Sequence, residues 1–189
     1  STWVATFNNG AHVPYVYNEN GQDYYEVSDG SYLMVIDEQG ILASCQFIKG
    51  QEGIINEFVI PAKVGEISVT EIANGCFDTS STAATGILDY IEKLVIEDGA
   101  ITKINDEVFK NADKLKEVFI DNSVQNIGSN AFSDSPLLEK VTIGAGITNI
   151  GNSAFENCPK LEDIIFIQPD NIVDITNYIN YDLARPLHV

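Results

Sequence analysis

Two histidines, His12 and His188, stand far apart in the chain. General acid–base work needs a titratable group held against a reacting partner, and neither histidine has such a partner in its own stretch of sequence. No G-x-S-x-G occurs, so the strained turn that exposes a nucleophilic serine is missing. Cys45, Cys76 and Cys158 are too widely spaced, and too far from either histidine in sequence, to read as a zinc motif. The stretch GAGITNIG (144–151) has glycines in the wrong places for a dinucleotide fingerprint, and it turns between two strands. Carboxylates are plentiful, and none is singled out by a partner. The residues therefore predict a protein that is not an enzyme, with no catalytic, cofactor-binding or metal-binding residue. A weak cation site at Glu97, Asp98 and Asp121, set against a solvated acidic edge, is the nearest alternative.

The charge narrows the partners. Ten basic residues against 28 acidic ones give a net charge of -18, which repels phosphate backbones and anionic lipid. No apolar run approaches the ~20 residues of a membrane span. Nucleic acid and membrane insertion are therefore set aside. The chain opens at Ser1 with no apolar signal segment, which reads as a removed leader or a trimmed chain.

The elements that position these residues come from an internal repeat, the first thing to look for in such a chain. Leu115, Val118 and Ile120 set an apolar spacing of i, i+3, i+5. It recurs at Leu138, Val141 and Ile143, at Leu161, Ile164 and Phe166, and upstream at Ile91, Leu94 and Ile96 and at Ile55, Phe58 and Ile60. The steps 115 to 138 and 138 to 161 are each 23 residues, and 23 more reach Ala184, with Leu187 and Val189 in register. A second signature runs within each period: Val69, Ile72, Phe77; Ile101, Ile104, Phe109; Val124, Ile127, Phe132; Ile147, Ile150, Phe155. Thr79, Asn111, Asp134 and Asn157 follow each Phe by two residues and are turn-favouring types. Gly128 and Gly151 follow the second aliphatic, where positive φ is expected as the chain leaves its strand.

A unit of ~23 residues cannot bury its own apolar face, so the copies must stack. The L-x-x-V-x-I segments are expected side by side as a parallel sheet. The I-x-x-I segments form a second short ladder, and a brief helical turn carries each Phe into a continuous column. Cys76 falls in the small slot before its Phe and Cys158 in the slot of Ala112 and Ser135, both as small core residues. Three strand spacings, about 14 Å, separate these two, too far for a disulfide. Cys45 could approach Cys76 from the N-terminal region, but no bridge is expected, and the fold should survive reductant.

The pattern I-x-x-I-G-x-x-A-F-x-x-C-x-x-L-x-x-V-x-I resembles the BspA-type leucine-rich repeat of bacterial surface proteins. INEFVIPAKVGEISVTEIANGCF (55–77) resembles that family's opening repeat, and the likeness is strong over about 55–167. It is weak over 168–189, where Val173 and Tyr178 stand in for the Ile and Phe. The resemblance implies an extracellular or cell-surface location and a binding or adhesive role. The fold class is accordingly an α/β solenoid with parallel sheet, short helical turns and a β-rich N-terminal cap.

Residues 1–54 form that cap, short strands separated by NNG, NENGQ, SDG and DEQG, and 55–189 form the solenoid. Strand rows are expected near 55, 91, 115, 138, 161 and 184, the last implying that the natural chain continues. Trp3, Tyr15, Tyr17, Tyr24, Tyr25 and Tyr32 offer a sugar-stacking alternative to plain packing. DTSSTAATGILDY (78–90) is an insertion of about eight residues, since Phe77 to Ile91 spans 14 and Phe109 to Leu115 spans six. An exposed loop or a lengthened helical turn is expected there.

Between the inward residues lie two outward columns. Glu57, Lys93, Glu117, Lys140 and Asp163 alternate in sign from strand to strand, a register device. Val59, Val95, Phe119, Thr142 and Ile165 make an apolar stripe on the sheet. The partner-binding candidates are therefore Phe119, Val95, Thr142, Ile165, Glu117 and Lys140. A protein ligand is expected, such as a host extracellular-matrix protein or one on a neighbouring cell. The alternatives are a structural spacer within a larger surface protein and a glycan-binding module.

Overall fold

The computed structural model describes residues 5–6, 12–13, 15–19, 21–28, 31–64, 66–77, 86–168 and 172–174. Its main feature is a broad parallel sheet of five strands: Glu57–Ile60, Lys93–Ile96, Glu117–Ile120, Lys140–Ile143 and Asp163–Ile167. The strands pair in the register set by the apolar spacing, with Leu94 beside Phe58 and Val118, and Val141 beside Val118 and Ile164. Opposite it runs a narrow parallel ladder, Lys103–Ile104, Asn126–Ile127 and Asn149–Ile150. Between them the chain forms a flattened solenoid, filled by the inward side chains of both.

The expected Phe column is the spine of that core. Phe109 and Phe132 stack at 5.1 Å between ring centroids, and Phe132 and Phe155 at 5.5 Å with only 8° between planes. Phe77 meets Phe109 at 5.2 Å but tilted by 44°. Phe58 stands edge-on to Phe77, and Tyr32 of the cap edge-on to Phe58, so one aromatic file runs from cap to last described coil. Offset stacks and edge-to-face pairs are the arrangements the ring quadrupole favours.

The segments that carry each Phe differ from expectation. They are turns rather than helical turns, and the only helix among the described residues is the short 3-10 helix Ile87–Asp89. Two features stop a helix. Glu107 and Asn111, Asn130 and Asp134, Ser153 and Asn157 all take φ between 55° and 62°, so a left-handed residue recurs four positions on and interrupts any right-handed run. The backbone N–H groups also point sideways. Those of Glu107, Phe109 and Asn111 donate to the carbonyls of Ser129, Ala131 and Ser133 in the next coil at 2.8–3.0 Å, and the following coil repeats the pattern. An N–H committed to a neighbouring coil cannot close a helical bond along its own. Asn and Asp at four of these six positions are the types that tolerate left-handed φ best.

Gly128 and Gly151 do not adopt positive φ. Their role is close approach: a Cβ on Gly128 would lie 2.6 Å from the Asp106 nitrogen, and one on Gly151 2.6 Å from the Ser129 nitrogen. Successive coils touch through bare backbone there.

The cap is an antiparallel meander, Tyr15–Glu19, Gln22–Ser28, Tyr32–Asp37 and Ile41–Phe47. The DEQG turn between its last two strands is held by the buried Asp37, whose carboxylate accepts from the N–H of Gln39 and Ile41 (both 2.9 Å) and from Gln22. Ile41–Phe47 then takes Glu71–Ile72 as a parallel neighbour. That short strand was expected to begin the narrow ladder and instead completes the cap sheet. Asn105 bridges the gap, its amide donating to the Ile72 carbonyl and the Glu71 carboxylate. The buried side chains form one core from Tyr25 to Phe166.

At the far edge, Ile172–Asp174 pairs antiparallel with Asp163–Ile167. Val173, expected to occupy the place of Ile150, lies beside Phe166 in the broad sheet instead. The row expected near 184 and the Tyr178 position lie outside the described residues.

Candidate functional site

The six candidate residues fall on one face. Phe119 is flanked in register by Val95 and Thr142, with Val59 and Ile165 completing the column. All five are half-buried, while Phe58, Leu94, Val118, Val141 and Ile164 behind them are fully buried. This division follows from the period of two in a strand. Beside the column, Glu117 sits between Lys93 and Lys140, and Lys140 between Glu117 and Asp163. The alternation of sign is as expected, but these opposed charges do not close into ion pairs. Among the described residues the shortest ion pair lies one position earlier, Lys116 Nζ to Glu92 Oε1 at 3.0 Å.

The spacing did not pick out Ile54, the exposed large apolar side chain among the described residues at 63%. It precedes the first broad strand, next to Ile55, which packs against the core. The signal was present in the sequence, since two consecutive isoleucines at a strand entry cannot both face inward.

The other candidates separate. Tyr25 is buried and Tyr32 packs edge-on against Phe58, so both belong to the core rather than to a sugar platform. Trp3 and the side chains of Tyr15 and Tyr17 lie outside the described residues. At the acidic edge, Glu97 accepts from the Ala62 N–H and Asp121 from the Asn122 N–H. No group of three or more potential metal ligands gathers among the described residues. Of the 78–90 insertion, residues 78–85 lie outside them; the remainder holds the 3-10 helix that buries Ile87 and Leu88. Burial, then Asp113, push the Asp89 carboxyl above its ordinary value, with Lys114 opposing.

The cysteines divide two and one. Cys158 is buried and donates to the Phe132 carbonyl at 3.3 Å, and burial pushes its thiol up to about 11. Cys45 and Cys76, not expected to bridge, lie with sulfurs 3.5 Å apart.

The left-handed turns, the paired ladders and the Phe file repeat at 23 residues, and the sequence pattern of the BspA type leucine rich repeat region (6 copies) matches residues 86–183. The chain belongs to the BspA type leucine-rich-repeat family. No curated protein matches it. Among solved structures, a leucine rich cell surface protein from Faecalibacterium prausnitzii is similar at 18% identity, over 75% of this chain and 54% of that one, with a TM-score of 0.37. The pneumococcal vaccine antigen PcpA is similar at 17% identity over 88% and 50%, with a TM-score of 0.37. A leucine-rich repeat protein from Bacteroides ovatus is similar at 17% identity over 84% and 40%, with a TM-score of 0.40. This BspA type chain thus spans about half the length of the solved structures it matches. No helix among its described residues is long and apolar enough to cross a membrane.

Proposed function

We propose that this chain is a non-catalytic module of a bacterial surface or secreted protein, and that the outward face of its broad sheet binds a protein. The observation that carries this reading is the in-register column Val59, Val95, Phe119, Thr142, Ile165. Five parallel strands at ~4.8 Å present it across roughly 19 Å. Phe119 is its one aromatic, held on a central strand with neighbours on both sides, so docking onto it orders little that is not already ordered. Rigid aromatic anchors of this kind dominate interface energetics. Glu117, Lys93 and Lys140 supply a polar rim that orients the partner. The net charge of -18 steers a basic partner toward the molecule and repels an acidic one. A host extracellular-matrix protein with a basic surface fits both requirements.

The test is a binding screen against matrix proteins beside a glycan array, followed by Phe119→Ser. That variant should melt with the parent and bind the captured protein at least about tenfold more weakly. Undiminished binding would move the site elsewhere, with Ile54 and the 78–90 insertion the next surfaces to alter. Silence in both screens would favour a structural spacer, and glycan binding alone would favour the sugar-binding alternative.

A further inference from the structure

We propose that Cys45 and Cys76 form a disulfide that staples the N-terminal cap to the first coil of the solenoid. Their sulfurs are 3.5 Å apart, with the Cys76 thiol donating to Cys45. Their backbones are neighbours as well, since the Cys45 N–H donates to the Cys76 carbonyl at 2.7 Å. Cys45 sits on the Ile41–Phe47 strand, and Cys76 follows Glu71–Ile72, the strand that lies beside it. Two side chains on adjacent backbones, aimed into the same space, need only a closure of about 1.5 Å to reach the ~2.05 Å sulfur–sulfur bond.

The third cysteine is not a competitor. Cys158 lies at the far end of the core, packed under the Phe132 and Glu156 carbonyls. Its weakly acidic thiol supplies little thiolate for exchange. An odd count therefore resolves into one pair and one inert core residue.

The bond forms by exchange with a small-molecule disulfide such as oxidised glutathione. One cysteine of the pair, as thiolate, attacks the oxidant, forms a mixed disulfide and releases one small thiol. The other, as thiolate, then attacks the protein sulfur and releases the second. Two protein thiols give up two protons and two electrons, and the oxidant leaves as two thiols. Both sulfurs are buried in the folded chain, so closure belongs to folding, as the cap docks and before solvent is excluded. In reduced, folded protein the Cys45 thiol is held well above its ordinary value by the hydrogen bond from Cys76, then by burial, so late oxidation is slow.

The bridge closes a span of 31 residues that carries the chain from the cap sheet through the first broad strand and back. Loop closure on that scale should raise the melting temperature by about 7–15 °C for a chain of this size.

The experiment is refolding of the full chain from denaturant in a glutathione redox couple, then alkylation under denaturing conditions, intact mass and peptide mapping. We expect a mass lower by two hydrogens, a Cys45–Cys76 cross-linked peptide and alkylation at Cys158 alone. Cys158→Ser should leave the bridge intact. Reductant should lower the melting temperature of the parent and of Cys158→Ser by the stated amount, and leave Cys45→Ser unmoved. Should Cys45→Ser fail to fold, the parent's own map and melting shift decide. Alkylation at all three positions after oxidative refolding, or any bridge through Cys158, overturns the assignment. A bridged protein whose melting point ignores reductant overturns the staple.

Discussion

The coils that carry Phe109, Phe132 and Phe155 and the coil that carries Phe77 share one residue pattern and are held by different bonds. In the former, backbone N–H groups cross from each turn to the next coil at regular intervals, and the rings stack nearly parallel. In the latter, the Phe77 ring tilts, the short Glu71–Ile72 strand leaves the narrow ladder for the cap, and side-chain contacts join the backbone bonds at the junction. Asn105 reaches across to the Ile72 carbonyl, Phe47 meets Tyr90 edge-on at 5.6 Å, and Cys45 meets Cys76. A repeat gives each coil the same neighbour on both sides, so one backbone solution serves throughout. Where repeat meets cap the neighbours differ, and that solution gives way to contacts particular to the junction.

The largest break of this contrast should come from Phe132→Ala. Phe132 is fully buried between two stacked rings, with no end to relax into, so the loss should be about 3–5 kcal/mol. Phe77→Ala, at a tilted ring that is slightly exposed, should cost less. Chemical denaturation of both variants checks the order, and a Phe132→Ala midpoint equal to the parent's would overturn the column.

Alkaline pH should act on the repeat side through Cys158. Burial keeps that thiol protonated to about 11 in the folded chain, against an ordinary 9.0. Between those values the folded state holds a proton that the unfolded chain has released, so stability is present below 9.0 and falls as pH rises through the window. The loss should approach about 2–3 kcal/mol by its upper end. Cys158→Ala should flatten this part of the stability curve relative to the parent. Parallel curves for the two proteins from pH 8 to 11 would refute the assignment.

Gly128→Ala should cost about 1–3 kcal/mol, because the added methyl meets the Asp106 backbone and forces two coils apart. Gly21, in a cap turn at φ 82°, has open space around it. Alanine there should cost only the left-handed penalty of about 1–2 kcal/mol. Melting curves of the two variants separate crowding from conformation. A Gly128→Ala protein as stable as the parent would mean the coils can spread.

The smallest effect is expected at Lys116→Ala. Its 3.0 Å pair with Glu92 joins two side chains that are both nearly half-exposed, and such pairs contribute about 0–1 kcal/mol. A larger loss, measured in the same denaturation series, would show that the strand entries depend on their surface charges.

Periodicity alone determined the strand register, the inward and outward columns, the alternation of charge and the Phe file. Each follows from which residues recur at 23 and from the period of two within a strand. The candidate face was legible for the same reason: Phe119 between Val118 and Ile120 has only one side left to point to. What tertiary structure decided lies in bonds between segments that no local pattern describes. The Phe-bearing segments became turns because their N–H groups found carbonyls in the next coil. Gly128 and Gly151 are required by the neighbouring backbone rather than by their own φ. Glu71–Ile72 joined the cap, and Ile172–Asp174 reversed along the last broad strand, because an open sheet edge offers unpaired N–H and C=O groups to whatever strand reaches it. The approach of Cys45 to Cys76 is of the same kind. Thirty-one residues separate them in the chain, and only the docking of cap on coil brings the two sulfurs together.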